Sequence, residues 1–182
     1  AKMAKADGIV TSDEVTAFKQ VFTVPPGELK NVARIFNLAK KDVAGYEAYA
    51  GQLAGLFNDD KELLEDVLDG LFHIAKADNV VHPAELEYLE AVAHIFGFGG
   101  RDFARIKARH IERDKSDPYL VLGLDPGASD EEVRRTWRRL AAENHPDKHI
   151  ARGMPEEFIA IANDKIAAIN AAYDEIRRER GL

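Results

Sequence analysis

Apolar residues recur every three or four positions along most of this chain, and no stretch alternates convincingly with period two. Near the C-terminal end, Val133, Trp137, Leu140 and Ala141 mark one face of a helix that Ser129 and Glu132 open as a capping box. Upstream of it, Asp117 caps a short helix with Pro118 at its first position, and Gly123 stops it. Downstream, Pro155 is expected to start a third helix in which Phe158, Ala162, Ile166, Ile169, Tyr173 and Ile176 step along one side. The second and third of these helices should pack antiparallel, with His145-Pro146-Asp147 at the bend. Nearer the start, helical patterns run around Leu29 to Leu38, Val43 to Phe57, Leu63 to Ala77, Leu86 to Phe96 and Phe103 to Ile111, with breaks at Pro25-Pro26 and at Gly97, Gly99 and Gly100. The expected fold is all-α: a helical bundle followed by a helical hairpin.

An internal repeat organises the first part. Ala4 to Glu14 (A-K-A-D-G-I-V-T-S-D-E) returns as Ala75 to Glu85 (A-K-A-D-N-V-V-H-P-A-E). In each copy one helix should end near the aspartate and another begin three or four residues later. Thr11 with Glu14 forms a capping box, and His82 with Pro83 and Glu85 forms a proline-initiated equivalent. Two units follow, residues 1–113 and 117–182, joined by the short charged segment Glu112 to Ser116.

The bend between the last two long helices concentrates the chemistry. At 100° per residue, Arg134, Arg135, Arg138 and Arg139 fall opposite Trp137, where they cannot serve the core. Each guanidinium can pair bidentately with a carboxylate, so the stripe suits an acidic partner. Proline fixes its own φ and biases His145 away from the helical region, which should hold Asp147 outward with little entropy left to lose on binding. Taken alone, the tripeptide is an ordinary helix stop and the stripe a solvated face, partly neutralised by Asp130, Glu131, Glu132 and Glu143. Their adjacency favours docking.

Residues 117–182 closely resemble the J domain of DnaJ-type co-chaperones. The resemblance rests on D-P-Y-L-V-L-G-L (Asp117 to Leu124), R-R-L-A (Arg138 to Ala141), H-P-D-K (His145 to Lys148) and I-N-A-A-Y (Ile169 to Tyr173). The stretch from His145 to Leu182, with the insertion Ala151 to Glu157, resembles the DjlA-like branch of that family, in which a J domain ends the chain. Trp137 stands where the family usually has tyrosine, and Ile166 where many members have phenylalanine; both preserve an apolar position. The resemblance implies that His145, Pro146, Asp147, Lys148 and the four arginines bind the nucleotide-binding domain of a DnaK-type chaperone and stimulate its ATP hydrolysis. In the family, loss of the aspartate matched by Asp147 abolishes stimulation.

Residues 1–113 resemble the TerB-like helical domain, which precedes the J domain in DjlA-like proteins. That resemblance implies roles in localisation, dimerisation or client choice, and it implies that Asp7, Glu14, Asp78 and Glu85 gather as an acidic cluster. Four carboxylates would suit a hard divalent cation. Capping alone explains the same positions, and it is the reading the spacing favours, since no EF-hand ligand ladder is present. The second repeat follows a complete amphipathic helix (Leu64, Val67, Leu68, Leu71, Phe72, Ala75), whereas the first begins almost at residue 1, so an upstream helix is expected to be missing. Relatives carry a membrane-associated segment there, which implies a cytoplasmic protein, at the cytoplasmic face of the inner membrane in full length.

Composition narrows the field. A net charge of −7 opposes non-specific nucleic-acid binding, and the arginine face alone keeps a helical nucleic-acid-binding protein as the alternative. Without cysteine there are no disulfides, thiol catalysis or cysteine-ligated zinc. Neither the six histidines (His73, His82, His94, His110, His145, His149) nor the carboxylates show HExxH spacing, and there is no nucleophile elbow or phosphate-binding glycine loop, so no enzyme is expected. His73 should be a core-edge histidine satisfied by a neighbour. Tyr46, Tyr49 and Phe57 could form a client groove, but aromatic residues at helical spacing are expected to be core.

Overall fold

The computed structural model describes residues 1–21, 24–78, 81–111, 117–151 and 156–182; the linker expected at 112–116 and the helix start expected at Pro155 lie outside them. By packing, the chain divides into two compact units, Ala1–Gly99 and Gly100–Leu182. All regular elements among the described residues are helical, as the periodicity requires, and none of these helices is long and apolar enough to cross a membrane.

The first unit holds α1 (Ser12–Val21), α2 (Leu29–Ala39), α3 (Tyr46–Leu56), α4 (Lys61–Ala75) and α5 (Pro83–Ile95), with 3-10 turns at Met3–Lys5 and Pro26–Glu28. Its core is Met3, Leu64, Leu68, Phe72 and Leu89, all essentially without solvent contact. Helix α4 is central and packs on α1, on α5 and on the Met3–Lys5 turn. Asp60 starts it by accepting from the Leu63 amide at 3.0 Å. Lys61 reaches across to the Phe96 carbonyl (2.6 Å) at the end of α5, where Gly97 has φ +79°. The positive φ calls for glycine, and a Cβ there would also displace the Lys61 ammonium, which lies 2.5 Å from its position.

The two repeats fold as matched caps. The Thr11 hydroxyl accepts from the Glu14 amide (3.1 Å), while the Glu14 carboxylate accepts from the Thr11 amide (2.7 Å). In the second copy, Glu85 accepts from the His82 amide (2.9 Å) and the His82 Nδ1 from the Ala84 amide (3.3 Å). The repeat brings Glu14 and Glu85 together, both buried, and a carboxyl–carboxyl hydrogen bond links them. Burial, opposed by the His82 amide and reinforced by Glu14 and Asp7, raises the Glu85 pKa from 4.5 to about 7. Glu85 therefore holds its proton in the fold at pH values where the unfolded chain has lost it.

The second unit holds α6 (Gly100–Ile111), α7 (Pro118–Leu122), α8 (Asp130–Glu143), α9 (Pro146–Ala151) and α10 (Glu156–Arg180). Its core unites Val133 and Leu140 of α8, Ile169, Ala172 and Ile176 of α10, Val121 and Leu122 of α7, and Ala108 of α6. Each large aliphatic residue buried there contributes about 1.5–3 kcal/mol. Helix α6 packs on α7; its Arg101 pairs with Asp125 at 2.8 Å, and its Arg105 lies beside Gly123 so closely that a Cβ there would meet the Arg105 Cδ at 3.0 Å. The division by packing thus falls before α6, whereas the sequence pattern suggests one after it.

One residue near the C-terminal end ties the far end of α10 to the α7–α8 loop. Arg180 donates to the Tyr119 hydroxyl (2.8 Å), the Ala128 carbonyl (2.7 Å), the Pro126 carbonyl (2.9 Å) and Asp130 (2.8 Å). Its guanidinium also stacks on the Tyr119 ring, 5.0 Å from the centroid.

Two predictions follow from these contacts. Arg180→Ala lowers the melting temperature of the second unit by about 5 °C, while Arg178→Ala on the exposed side of α10 leaves it within about 1 °C, as read by thermal circular dichroism. Glu85→Gln keeps the cap and the contact with Glu14 but removes the ionisation. The stability that protonated Glu85 gives the parent is full below pH 4.5 and lost as pH rises through about 7. The variant is therefore more stable than the parent at pH 8 by about 1–2 kcal/mol in urea unfolding, and the gap closes below pH 4.5. A parent more stable at pH 8 would contradict the shared proton.

Candidate docking site

Helix α8 is positioned by its ends and its apolar seam. Ser129 accepts from the Glu132 amide (3.2 Å), and Asp130, Glu131 and Glu132 occupy the first turn, where the helix dipole favours them. Val133 and Leu140 are buried in the seam. Trp137 is half-buried rather than fully core: it stacks on Tyr173 (centroids 4.3 Å, 7° between planes) and donates from its indole nitrogen to Asn170 at 2.9 Å. This pinned ring fixes the rotation of α8 about its axis.

With that rotation set, Arg134, Arg135, Arg138 and Arg139 are all exposed. Arg139 is partnered by Glu143 at 2.7 Å, one turn on. Among the described residues Arg134, Arg135 and Arg138 have no ion-pair partner, so three guanidinium groups face solvent together. Two of the nearby carboxylates are engaged elsewhere, Asp130 by Arg180 and Glu143 by Arg139, while Glu131 and Glu132 in the first turn still offset part of the positive charge.

The tripeptide is held from both sides. Asn144 is buried and closes α8, its amide and its side-chain nitrogen both donating to the Leu140 carbonyl at 3.0 and 2.8 Å. His145 then turns the chain: its Nδ1 accepts from the Asp147 amide (3.2 Å) and its carbonyl from the Lys148 amide (2.9 Å). Pro146 is the first residue of α9, a helix that the sequence pattern does not announce. The His145 and Asp147 side chains are 55% and 83% exposed, and Lys148 is exposed as well. The expected outward aspartate is present, on the first turn of a short helix. Ile150 on the next turn adds an exposed aliphatic side chain beside it, which sequence reasoning missed.

The acidic residues of the repeats behave differently from an ion cage. Glu14 and Glu85 are buried and linked to each other and to their own caps, whereas Asp7 and Asp78 are exposed, and Asp7 accepts from the Ile9 amide at 2.8 Å. Among the described residues no group of three or more His, Asp or Glu side chains is arranged to hold a metal ion. The aromatic residues of the first unit also depart from expectation. Tyr46 packs on Tyr88 (centroids 4.2 Å), but Tyr49 is 61% exposed and Phe57 lies at the surface, so neither is core.

Comparisons with known proteins match a different family model in each part of the chain. The model of tellurite resistance protein TerB matches residues 1–108, and the model of the DnaJ domain matches residues 117–180. Similar relatives are each named co-chaperone protein DjlA. That of Photobacterium profundum is 30% identical over 208 residues, covering 99% of this chain and 74% of the relative. The Coxiella burnetii relative is 28% identical over 200 residues, with the same two shares. The Shewanella oneidensis relative is 33% identical over 134 residues, 67% of this chain and 51% of the relative. No solved structure matches. With a TerB domain, a J domain and relatives of one kind along nearly its whole length, this chain belongs to the DjlA-like co-chaperones.

Proposed function

We propose that the chain docks through α8 and the His145-Pro146-Asp147 bend on the nucleotide-binding domain of a DnaK-type chaperone and stimulates its ATP hydrolysis. The observation that carries this reading is the contiguity of three unpaired guanidinium groups on α8 with an exposed aspartate that the backbone holds in place. The cations accelerate encounter with an acidic surface and set its orientation. Asp147 then offers one anionic contact at the tip of a positive field, where a partner cation must meet it in a single geometry.

Stimulation in this scheme needs no chemistry from the chain itself. A docked partner accelerates hydrolysis when it binds the hydrolysis-competent state of the chaperone more tightly than the resting state, and each tenfold acceleration takes about 1.4 kcal/mol of that difference. Preorganisation serves this end, because a bend already ordered in the free protein loses little entropy on docking. The first unit would supply localisation, dimerisation or client choice, and the cytoplasm, where such a chaperone works, would be its compartment.

Two outcomes test the reading in steady-state ATP hydrolysis by a DnaK-type chaperone. Asp147→Asn loses at least about tenfold in stimulation with unchanged helicity, since its side chain is exposed and the amide bond to His145 is retained. Arg134→Glu with Arg138→Glu raises the concentration for half-maximal stimulation by about tenfold or more and flattens its salt dependence. Equal stimulation by parent and Asp147→Asn would overturn the proposal.

A further inference from the structure

Helix α2 stands apart from the rest of the first unit. It is strongly amphipathic, yet none of its residues is fully buried. Val32, Phe36 and Ala39 are half-buried on its inner side, where the Phe36 ring meets Phe18 at 4.8 Å. Leu29, Ile35 and Leu38 are 54%, 54% and 65% exposed. A helix that burial does not hold in place, yet which exposes aliphatic side chains, has a face waiting for an apolar environment.

The charge on α2 says which environment. From Leu29 to Lys41 the chain carries Lys30, Arg34, Lys40 and Lys41 and no carboxylate, in a protein of net charge −7. Helical spacing aligns Lys30, Arg34 and Leu38 in one row and Asn31, Ile35 and Leu38 in the next, so cations and exposed aliphatics share the outward side, and Lys40 and Lys41 follow directly after the helix. Lys2 adds another cation at the C-terminal end by donating to the Asp42 and Ala44 carbonyls, both at 2.8 Å. Arg34 donates to the neutral Asn31 side chain at 3.2 Å.

We infer that α2 lies on an anionic lipid bilayer, with Ile35 and Leu38 entering the headgroup region and Lys30, Arg34 and Lys41 meeting lipid phosphates. Three features select a bilayer over other occupants. The face is a convex helical ridge, which suits a flat interface better than a bound peptide, for which a groove is needed. Its exposed residues are flexible aliphatics flanked by cations, the composition of interfacial helices. A second copy docking through the same face would set Lys30 and Arg34 of one helix against those of the other, with no carboxylate within either helix to offset them. The inference is independent of the proposed chaperone docking, which uses the other unit.

The test is flotation of the full chain with vesicles of phosphatidylcholine alone or with about 30% phosphatidylglycerol, at low and at about 0.5 M salt. The parent should float with the anionic vesicles at least about tenfold more than with neutral ones, and less in high salt. Leu38→Asp and Ile35→Asp, both at exposed sites, should lose most of that binding with helicity unchanged, and Arg34→Glu with Lys41→Glu should lose it too. Arg134→Glu with Arg135→Glu, on α8, should retain it. The inference is overturned by equal binding to both vesicle types, by no binding, by α2 variants that bind like the parent, or by loss only in the α8 variant. Self-association of the parent in sedimentation velocity, abolished by Leu38→Asp, would assign the face to a second copy and overturn it as well.

Discussion

The apolar seam between α8 and α10 is the constraint on which the candidate site depends. Val133 and Leu140 occupy it from one side, and Ile169, Ala172 and Ile176 from the other. Because the seam takes the large apolar positions of α8, the arginines between them can point only to solvent. Because α8 and α10 share that seam, the connection between them must reverse the chain, and the tripeptide sits where the reversal begins. The stacked Trp137 and Tyr173 rings, with the indole bond to Asn170, fix rotation as well as separation. Exposure of the site is thus a product of burial elsewhere.

The first unit solves a different problem. Its repeats place two glutamates at equivalent caps, and the fold brings those caps together in the interior. Burial beside Glu14 raises the Glu85 pKa to about 7, so below that pH Glu85 keeps a proton that it shares with Glu14. A pair that looks like half of a metal site by composition is a neutralised structural contact in the fold. Around this interior lie α2 and α3, which leave Leu38, Leu56 and Tyr49 largely exposed.

What was legible in the sequence was local. The Ser129, Thr11, His82 and Asp117 caps, the Gly123 stop and the period of α10 depend on residues within a few positions of each other, and the structure places all of them as the pattern implies. The exposure of the arginines followed from the same periodicity, and that of Asp147 from the conformational restriction Pro146 places on the bend. What was not legible depends on distant partners. Arg180 reaches Tyr119 and Pro126 across more than fifty residues, Lys61 reaches Phe96 across thirty-five, and α6 joins the second unit through Ala108 and Arg105, none of which leaves a periodic trace. Tyr49 misled because helical spacing of aromatics reports a face without saying whether anything covers it. Helix α9 is short enough that its proline and aspartate read equally well as a turn.

The central claim, that the face of α8 and the bend together form the docking surface, is tested most directly by mapping amide resonances of the isotope-labelled chain as an ATP-bound DnaK-type chaperone is added. The account predicts shifts and broadening confined to Arg134–Arg139 and His145–Lys148, lost in Asp147→Asn and reduced at high salt. Perturbation concentrated in Ala1–Gly99, or on the solvent face of α10, with α8 unaffected, would contradict it.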